Sequence, residues 1–280
     1  AQLSRGLGDV YKRQGQHYCG WQRQAAELEK NYKVSVQACL EKALKTLFSL
    51  RLEPKIRCCG RTDSGVHAQR YFFHVDLPVR DFREHKIRKG IQALSPQKSI
   101  CCWSIREVDS SFDALTSVVQ KCYTYQILLS QFEPVGPLRG RVWRLPHSRL
   151  EEAGFSYSKI LEISKIFEGE HDFAAFASKG HSHRSTQRKI DSIHVTLSRD
   201  LHGQFLIKIR YFGKGFLKQM LRNITGSMVE YATGKKTRQQ LESLLRSSTR
   251  VTEGSDCENA VLCAPAAGLC LSDLKYGKGF

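Results

Sequence analysis

The chain has 280 residues, enough for one large domain or two closely joined ones, and its hydrophobic content of 41% is typical of a globular protein. Lysine and arginine number 44 against 27 acidic residues, and the resulting formal charge of +17 favours a polyanionic partner over a neutral metabolite. The sequence has no apolar run long enough to cross a membrane, and its ten cysteines form no C-x-x-C pair, so we expect free thiols and a cytoplasmic protein.

The amino-terminal part of the sequence alternates helical and extended patterns. Residues 1–14 have neither pattern, and we predict a disordered or non-native leader there. Between residues 34 and 50, apolar side chains recur every three or four positions, which predicts an amphipathic helix. The other elements predicted up to residue 108 are strands at 55–59 and 71–77, a helix at 81–93 and a strand at 99–108.

The same alternation returns beyond residue 108. Arginines beside Trp143 in residues 138–145 suit either RNA backbone contacts or a solvated strand face. The other predicted elements are a strand around 123–127, a helix at 157–167, strands at 190–198 and 204–212, helices at 215–231 and 238–246, and a strand at 269–274. The repetition predicts an α+β protein of two joined halves, residues 15–108 and 109–280.

The most informative segment is residues 59–68, which read Cys-Gly-Arg-Thr-Asp-Ser-Gly-Val-His-Ala. It places Asp63 inside a glycine-containing turn, and such a turn can direct a carboxylate out of the fold towards a ligand. Val66 and His67 stand where a phosphate-binding loop needs Lys and Ser or Thr, so the pattern does not indicate an NTPase. The tripeptide Asp-Ser-Gly is also common in ordinary turns. These three residues by themselves are therefore equally compatible with a solvated loop that has no function.

The histidine-rich loop at residues 179–189 contains two possible metal ligands. His181 and His183 have no further ligand at a convincing spacing, so we interpret residues 179–189 as a surface loop. The sequence therefore predicts neither a metal nor an organic cofactor.

The longer string Gly-Arg-Thr-Asp-Ser-Gly-Val-His resembles the catalytic loop of the TruA family of transfer-RNA pseudouridine synthases. Further segments resemble motifs of that family in the same order, at residues 15–22, 112–125, 169–176, 216–227 and 264–271. The resemblance implies the pseudouridine synthase fold, in which two joined α+β halves surround a central, mostly antiparallel sheet with a basic RNA-binding cleft around the catalytic loop.

The resemblance also implies an activity and its residues. The chain would be an isomerase that flips uridines out of the transfer-RNA anticodon arm, at positions 38 to 40, and converts them to pseudouridine. Asp63 would be the catalytic group, either as a nucleophile at the ribose or as a base on a ribose proton. Arg222 matches the arginine that pairs with it, Tyr123 the ring that stacks on the base, and Arg61 the arginine that holds the base out. The family's enzymes are homodimers without a cofactor.

Two positions depart from the family pattern. Leu115 stands where arginine is usual and Cys122 where a basic residue is common, which affects the expected range of substrates more than the chemistry. The competing hypotheses are a non-catalytic RNA-binding or RNA-folding module on the same scaffold, and the same chemistry on another RNA. Binding alone would not need a carboxylate directed at a polyanion, so Asp63 favours the enzyme.

Overall fold

The computed structural model of the protein describes residues 4–13, 15–23, 34–77, 83–95, 99–146, 148, 153–178, 185–247 and 261–277. Its strands are β1 (Ser4–Arg13), β2 (Ile56–Cys58), β3 (His67–Ala68), β4 (Tyr71–Leu77), β5 (Ile100–Glu107), β6 (Val118–Leu129), β7 (Trp143–Leu145), β8 (Gly169–Asp172), β9 (Gln187–Ile190), β10 (Ser192–Arg199), β11 (Phe205–Gly213) and β12 (Leu269–Tyr276). Its α-helices are α1 (Val36–Leu47), α2 (Glu84–Leu94), α3 (Tyr157–Ser164), α4 (Met220–Ala232) and α5 (Arg238–Arg246). Helices and mostly antiparallel strands confirm the predicted α+β class.

The chain divides into two compact units, one formed by Ala1–Val119 with Cys270–Phe280 and the other by Gln120–Leu269. The predicted halves, residues 15–108 and 109–280, differ from these units at both ends of the second half. The carboxy-terminal strand belongs to the first unit because Cys270 and Leu271 pair in parallel with β3. Such a long-range pairing leaves no local trace in the sequence.

Strand β1 corrects the expectation of disorder for residues 1–14. Ser4–Arg13 is extended and pairs antiparallel with β4 on one edge and with β5 on the other. The register of the pairing with β5 shifts around Val10, as in a β-bulge. A bulge interrupts the alternation of apolar and polar residues by which a strand is predicted from sequence. Residues 1–3 and 14 lie outside the described residues, and whether the segment is native stays a prediction.

The first unit packs its two helices against this sheet. Helix α1 begins at Ser35, whose Oγ accepts the N–H of Ala38, and it buries Leu40 and Leu44. Helix α2 packs against α1 and β5 and buries Ile87 and Ile91. Apolar residues spaced by four positions on each helix therefore form one side of the core, as the periodicity predicts.

The second unit contains the antiparallel ladder β10–β11–β6, the strand β7 beside β6, and the hairpin β8–β9. Helix α4 lies in its core and starts later than predicted, at Met220 instead of residue 215. Gln219 has a φ of 59°, in the left-handed region that an α-helix cannot include, so the helix begins after it; residues 215–217 are irregular and residues 218–219 form a turn. Within the described ranges, none of the helices combines the length and apolar character needed to span a bilayer.

Candidate active site

Asp63 lies in the loop between β2 and β3 of the first unit. Its carbonyl accepts the N–H of Val66 at 3.2 Å, which closes a four-residue turn, and Gly65 at the third position has a φ of +79°. A positive φ at this position of a turn favours glycine. The side chain of Asp63 is partly exposed between the buried Thr62 and Val66. Asp63 therefore lies at a partly exposed position of the loop, and its catalytic role stays a prediction.

Residues 15–21 hold this turn from one side. The N–H of Trp21 donates to the carbonyl of Thr62 at 3.1 Å, and the hydroxyl of Ser64 donates to the carbonyl of Tyr18 at 3.3 Å. These residues belong to the segment at 15–22 that resembles the first motif of the family. The structure thus brings two of the matched motifs into direct contact around Asp63.

The approach of the two segments leaves no room for a side chain at Gly15. A Cβ there would lie 2.2 Å from the carbonyl oxygen of Val66 and 2.7 Å from the carbonyl carbon of Gly65. Both are backbone atoms, which cannot swing away as a flexible side chain can.

We therefore expect Gly15→Ala to destabilise the protein by roughly 2 kcal/mol, because the added methyl must displace the backbone of the Asp63 turn. The measurement is the urea midpoint of unfolding. Gly215→Ala is the matched control, since a Cβ at Gly215 would meet nothing within 4 Å. Equal midpoints for the two variants would contradict the crowding seen at Gly15.

Two further side chains fix the loop, and sequence reasoning gave neither of them a role there. The hydroxyl of Tyr71 donates to the carbonyl of Gly60, and the Tyr71 ring lies 4.7 Å from that of Trp21 between centroids. Nδ1 of the buried His67 accepts the N–H of Gly15 at 3.2 Å, which requires that nitrogen to be unprotonated. In the sequence, His67 ends the matched string around Asp63, and Tyr71 begins the strand predicted at 71–77.

Arg61, in the same loop as Asp63, is exposed. Its guanidinium is therefore available to a ligand from the solvent side. The predicted residues Tyr123 and Arg222 belong to the second unit, in β6 and α4. The predicted pairing of Arg222 with Asp63 stays a prediction.

Arg222 is anchored to the segment that carries the last matched motif. Its Nε donates to the carbonyl of Ala264 at 2.7 Å, and the N–H of Ala264 donates to the carbonyl of Arg222 at 3.2 Å. Leu262 runs so close to α4 that a Cβ on Gly226 would lie 1.8 Å from its carbonyl oxygen. Within the described residues the terminal nitrogens of Arg222 form no hydrogen bond, so they remain available to an anion.

Tyr125 holds the neighbouring peptide of the same segment. It is fully buried, its hydroxyl donates to the carbonyl of Pro265 at 2.7 Å, and its ring covers Gly268, where a Cβ would lie 2.5 Å from Cζ. Burial raises the pKa of Tyr125 well above its usual value, although the nearby Arg222 lowers it somewhat. The phenol therefore remains a neutral donor at physiological pH.

Tyr123 is largely buried, with 8% of its surface exposed. Its ring packs edge-on against Phe216, with 5.5 Å between the ring centroids. Phe216 starts the matched motif at 216–227 and was missed as a partner of Tyr123, because the two residues are remote in sequence. Of the two departures from the family pattern, Cys122 is 8% exposed and Leu115 is 46% exposed.

Asp113, in the matched segment at 112–125, forms an ion pair and hydrogen bonds within the first unit. It forms an ion pair with Arg57 at 2.9 Å, and its Oδ1 accepts the N–H groups of Leu115 and Thr116. Burial by itself raises the pKa of Asp113, but these hydrogen bonds and Arg57 outweigh it and lower the pKa below its usual range. The ionised carboxylate therefore stabilises this loop.

The lowered pKa gives a pH dependence with a definite sign. A carboxylate with a lower pKa in the folded state stabilises the protein above the pKa of the unfolded chain, and this stabilisation is lost as the pH falls. We expect Asp113→Asn to lower the free energy of unfolding by roughly 1 kcal/mol at pH 7 and by much less below about pH 4. Urea titrations across this range are the test, and a difference that grows towards acid pH would contradict it.

Among the residues that the structure describes, no three His, Cys, Asp or Glu side chains are arranged to hold a metal ion. His181 and His183 lie outside those residues.

A protein-family model described as tRNA pseudouridine synthase matches residues 163–277. Proteins named tRNA pseudouridine synthase A are similar over nearly the whole chain. The relative from Blochmanniella floridana is 34% identical over 94% of this chain and 92% of its own length. Those from Solidesulfovibrio magneticus and Geobacter sp. strain M21 are each 33% identical over 94% of this chain, and over 88% and 95% of their own lengths.

Proposed function

Because the chain belongs to the TruA family of tRNA pseudouridine synthases, we propose that it isomerises uridines of the transfer-RNA anticodon arm, at positions 38 to 40, with Asp63 as the catalytic group. The reaction breaks the bond between uracil N1 and ribose C1′ and forms a bond between C5 and C1′. C5 loses its proton and N1 gains one, so atoms and charge balance without an oxidant or an energy source. One carboxylate suffices for this chemistry.

The observation that carries the proposal is the turn at Asp63. A turn closed at Val66 carries the partly exposed Asp63, and residues 15–21 and Tyr71 hold the loop around that turn by hydrogen bonds. A precisely held carboxylate suits a group that must meet C1′ or a ribose proton at one distance. Asp63 acts as the nucleophile or as the base, and both roles use the same geometry.

The other predicted residues have supporting roles. Arg222 keeps Asp63 ionised in a water-poor pocket, with its guanidinium oriented by Ala264. Arg61 holds the flipped base out of the stack, and its exposure supports this role. Tyr123 stacks on the base, which contributes about 1–3 kcal/mol towards a flipping cost of a few kcal/mol. Phe216 orients the ring of Tyr123.

We also propose a homodimer that acts in the cytoplasm. The dimer is an expectation from the family alone. The cytoplasm is a reducing compartment, and this location is supported by the cysteines of the described residues, which form no disulfide with one another.

Release of tritium from transfer RNA labelled at uridine C5 tests the activity. We expect release with an unmodified transcript and none when uridines 38 to 40 are replaced by cytidine. Release from both transcripts would move the target to other uridines. Tight binding without any release would favour the non-catalytic module.

A further inference from the structure

One face of the ladder β10–β11–β6 carries two cations from its middle strand. Lys208 and Arg210 are two positions apart on β11, so both point to this face. The residues directly opposite them in register share the face and are all polar: Thr124 and Gln126 on β6, and His194 and Thr196 on β10. Arg210 and His194 are exposed, and Lys208 is partly exposed.

The other face of the same ladder is the core of the second unit. Ile207, Ile209 and Tyr211 are fully buried, and the Tyr211 hydroxyl lies 2.8 Å from Oγ1 of Thr225 on α4. Helix α3 packs against α4 and β10. Helices α3 and α4 therefore cover one side of the ladder, and Lys208 and Arg210 lie on the other side, where they are partly or fully exposed.

Residues 138–142 add two arginines at one end of the face of the ladder that carries Lys208 and Arg210. Leu138 and Val142 pack there on Leu128 and Leu206. The side-chain amide of Gln126 approaches the Arg141 carbonyl at 3.5 Å. Arg139, exposed, and Arg141, partly exposed, are thus carried on the same side of the ladder. We call Arg139, Arg141, Lys208 and Arg210 the basic face.

The charges of the basic face are not neutralised within the described residues. None of its four cations forms an ion pair there, whereas the neighbouring Arg144 is paired with Glu133 at 2.8 Å. Like charges gathered on one surface repel each other, and an anionic partner removes this repulsion. Hydroxyl and amide groups between the cations supply further donors, which suits phosphate and sugar oxygens.

We propose that the basic face binds the sugar–phosphate backbone of RNA on the side of the ladder opposite Tyr123, so that it supplies affinity and not chemistry. This inference rests on the proposed function, which makes that RNA the substrate transfer RNA. A second copy of the chain is the less suitable occupant. A symmetric contact would bring the same cations face to face, and each chain carries a formal charge of +17.

The test is the double variant Lys208→Gln with Arg210→Gln, assayed for binding of unmodified transfer RNA at several salt concentrations. We expect Kd to rise about tenfold at 0.1 M salt, and the slope of log Kd against log salt to fall by about two, one for each lost phosphate contact. The kcat at saturating RNA should stay unchanged because neither residue lies on the side of the ladder that carries Tyr123.

A matched control removes the same charge from the opposite side of the unit. Lys159 lies on α3 and Lys235 follows the end of α4, and these two helices pack on the other face of the ladder. Replacing both with glutamine should leave Kd within about twofold and the salt slope near that of the native protein. The swapped pair Lys208→Arg with Arg210→Lys keeps the charge and should retain the native affinity.

The outcomes separate this inference from the proposed function. If the native protein released no tritium, the proposed function would be wrong. The measurements of transfer-RNA binding would still test the basic face. If the basic-face variant matched the control variant in Kd and slope, the inference would be wrong. A variant that dissociates into monomers with an unchanged salt slope would assign the face to a second copy instead. Thermal unfolding of each variant excludes misfolding as the cause.

Discussion

Asp63→Asn should lower tritium release from C5-labelled transfer RNA by about a thousandfold or more. An amide has the shape of the carboxylate, but it neither attacks the ribose nor accepts its proton at neutral pH. The turn should survive, because it is closed by the backbone of Asp63 and Val66 and by the geometry of Gly65. Affinity for transfer RNA should persist, since the change removes a negative charge facing a polyanion.

The control for Asp63→Asn is the same substitution at another carboxylate of the first unit, which lies outside the loop of Asp63. Asp76 on β4 is exposed, and Asp76→Asn should leave the rate within about twofold. Asp63→Ala guards against slow deamidation of the new asparagine and should be equally inactive. Release at the native rate from Asp63→Ala would remove the proposed catalytic role.

Arg222→Gln should lower kcat by about a hundredfold with a smaller effect on KM. The predicted carboxylate partner needs a cation to stay ionised in a water-poor pocket. Without Arg222 its pKa should rise, so the acid limb of the pH–rate profile should move to higher pH. Glutamine can retain one hydrogen bond to Ala264, so the helix should remain folded.

Arg246→Gln provides the comparison, because Arg246 is an exposed arginine at the end of α5 in the same unit. It should change neither kcat nor the pH profile. A rise in KM for Arg222→Gln without any loss of kcat would instead make Arg222 a contact to the RNA backbone. An unmoved acid limb would separate Arg222 from the ionisation of Asp63.

The sequence by itself determined the family, the α+β class and the turn at Asp63. These features are local: a glycine at the third position of a turn, a helical period in residues 34–50, and short motifs whose order is preserved. The relatives confirm the family prediction. Local backbone preferences and apolar periodicity act within a few residues, so they can be read along the chain.

The tertiary structure decided the features that depend on remote partners. Strand β1 is formed by pairing with β4 and β5. Its bulge interrupts the alternation of apolar and polar residues from which a strand would have been predicted. Because Gln219 has a left-handed backbone conformation, α4 begins after it and not at residue 215. Phe216 and Tyr123 are far apart in sequence and come into contact only in the folded protein. The basic face exists because strand register aligns Lys208 and Arg210 with polar residues of two other strands. Register and packing are set by contacts far apart in sequence, so no local pattern reports them.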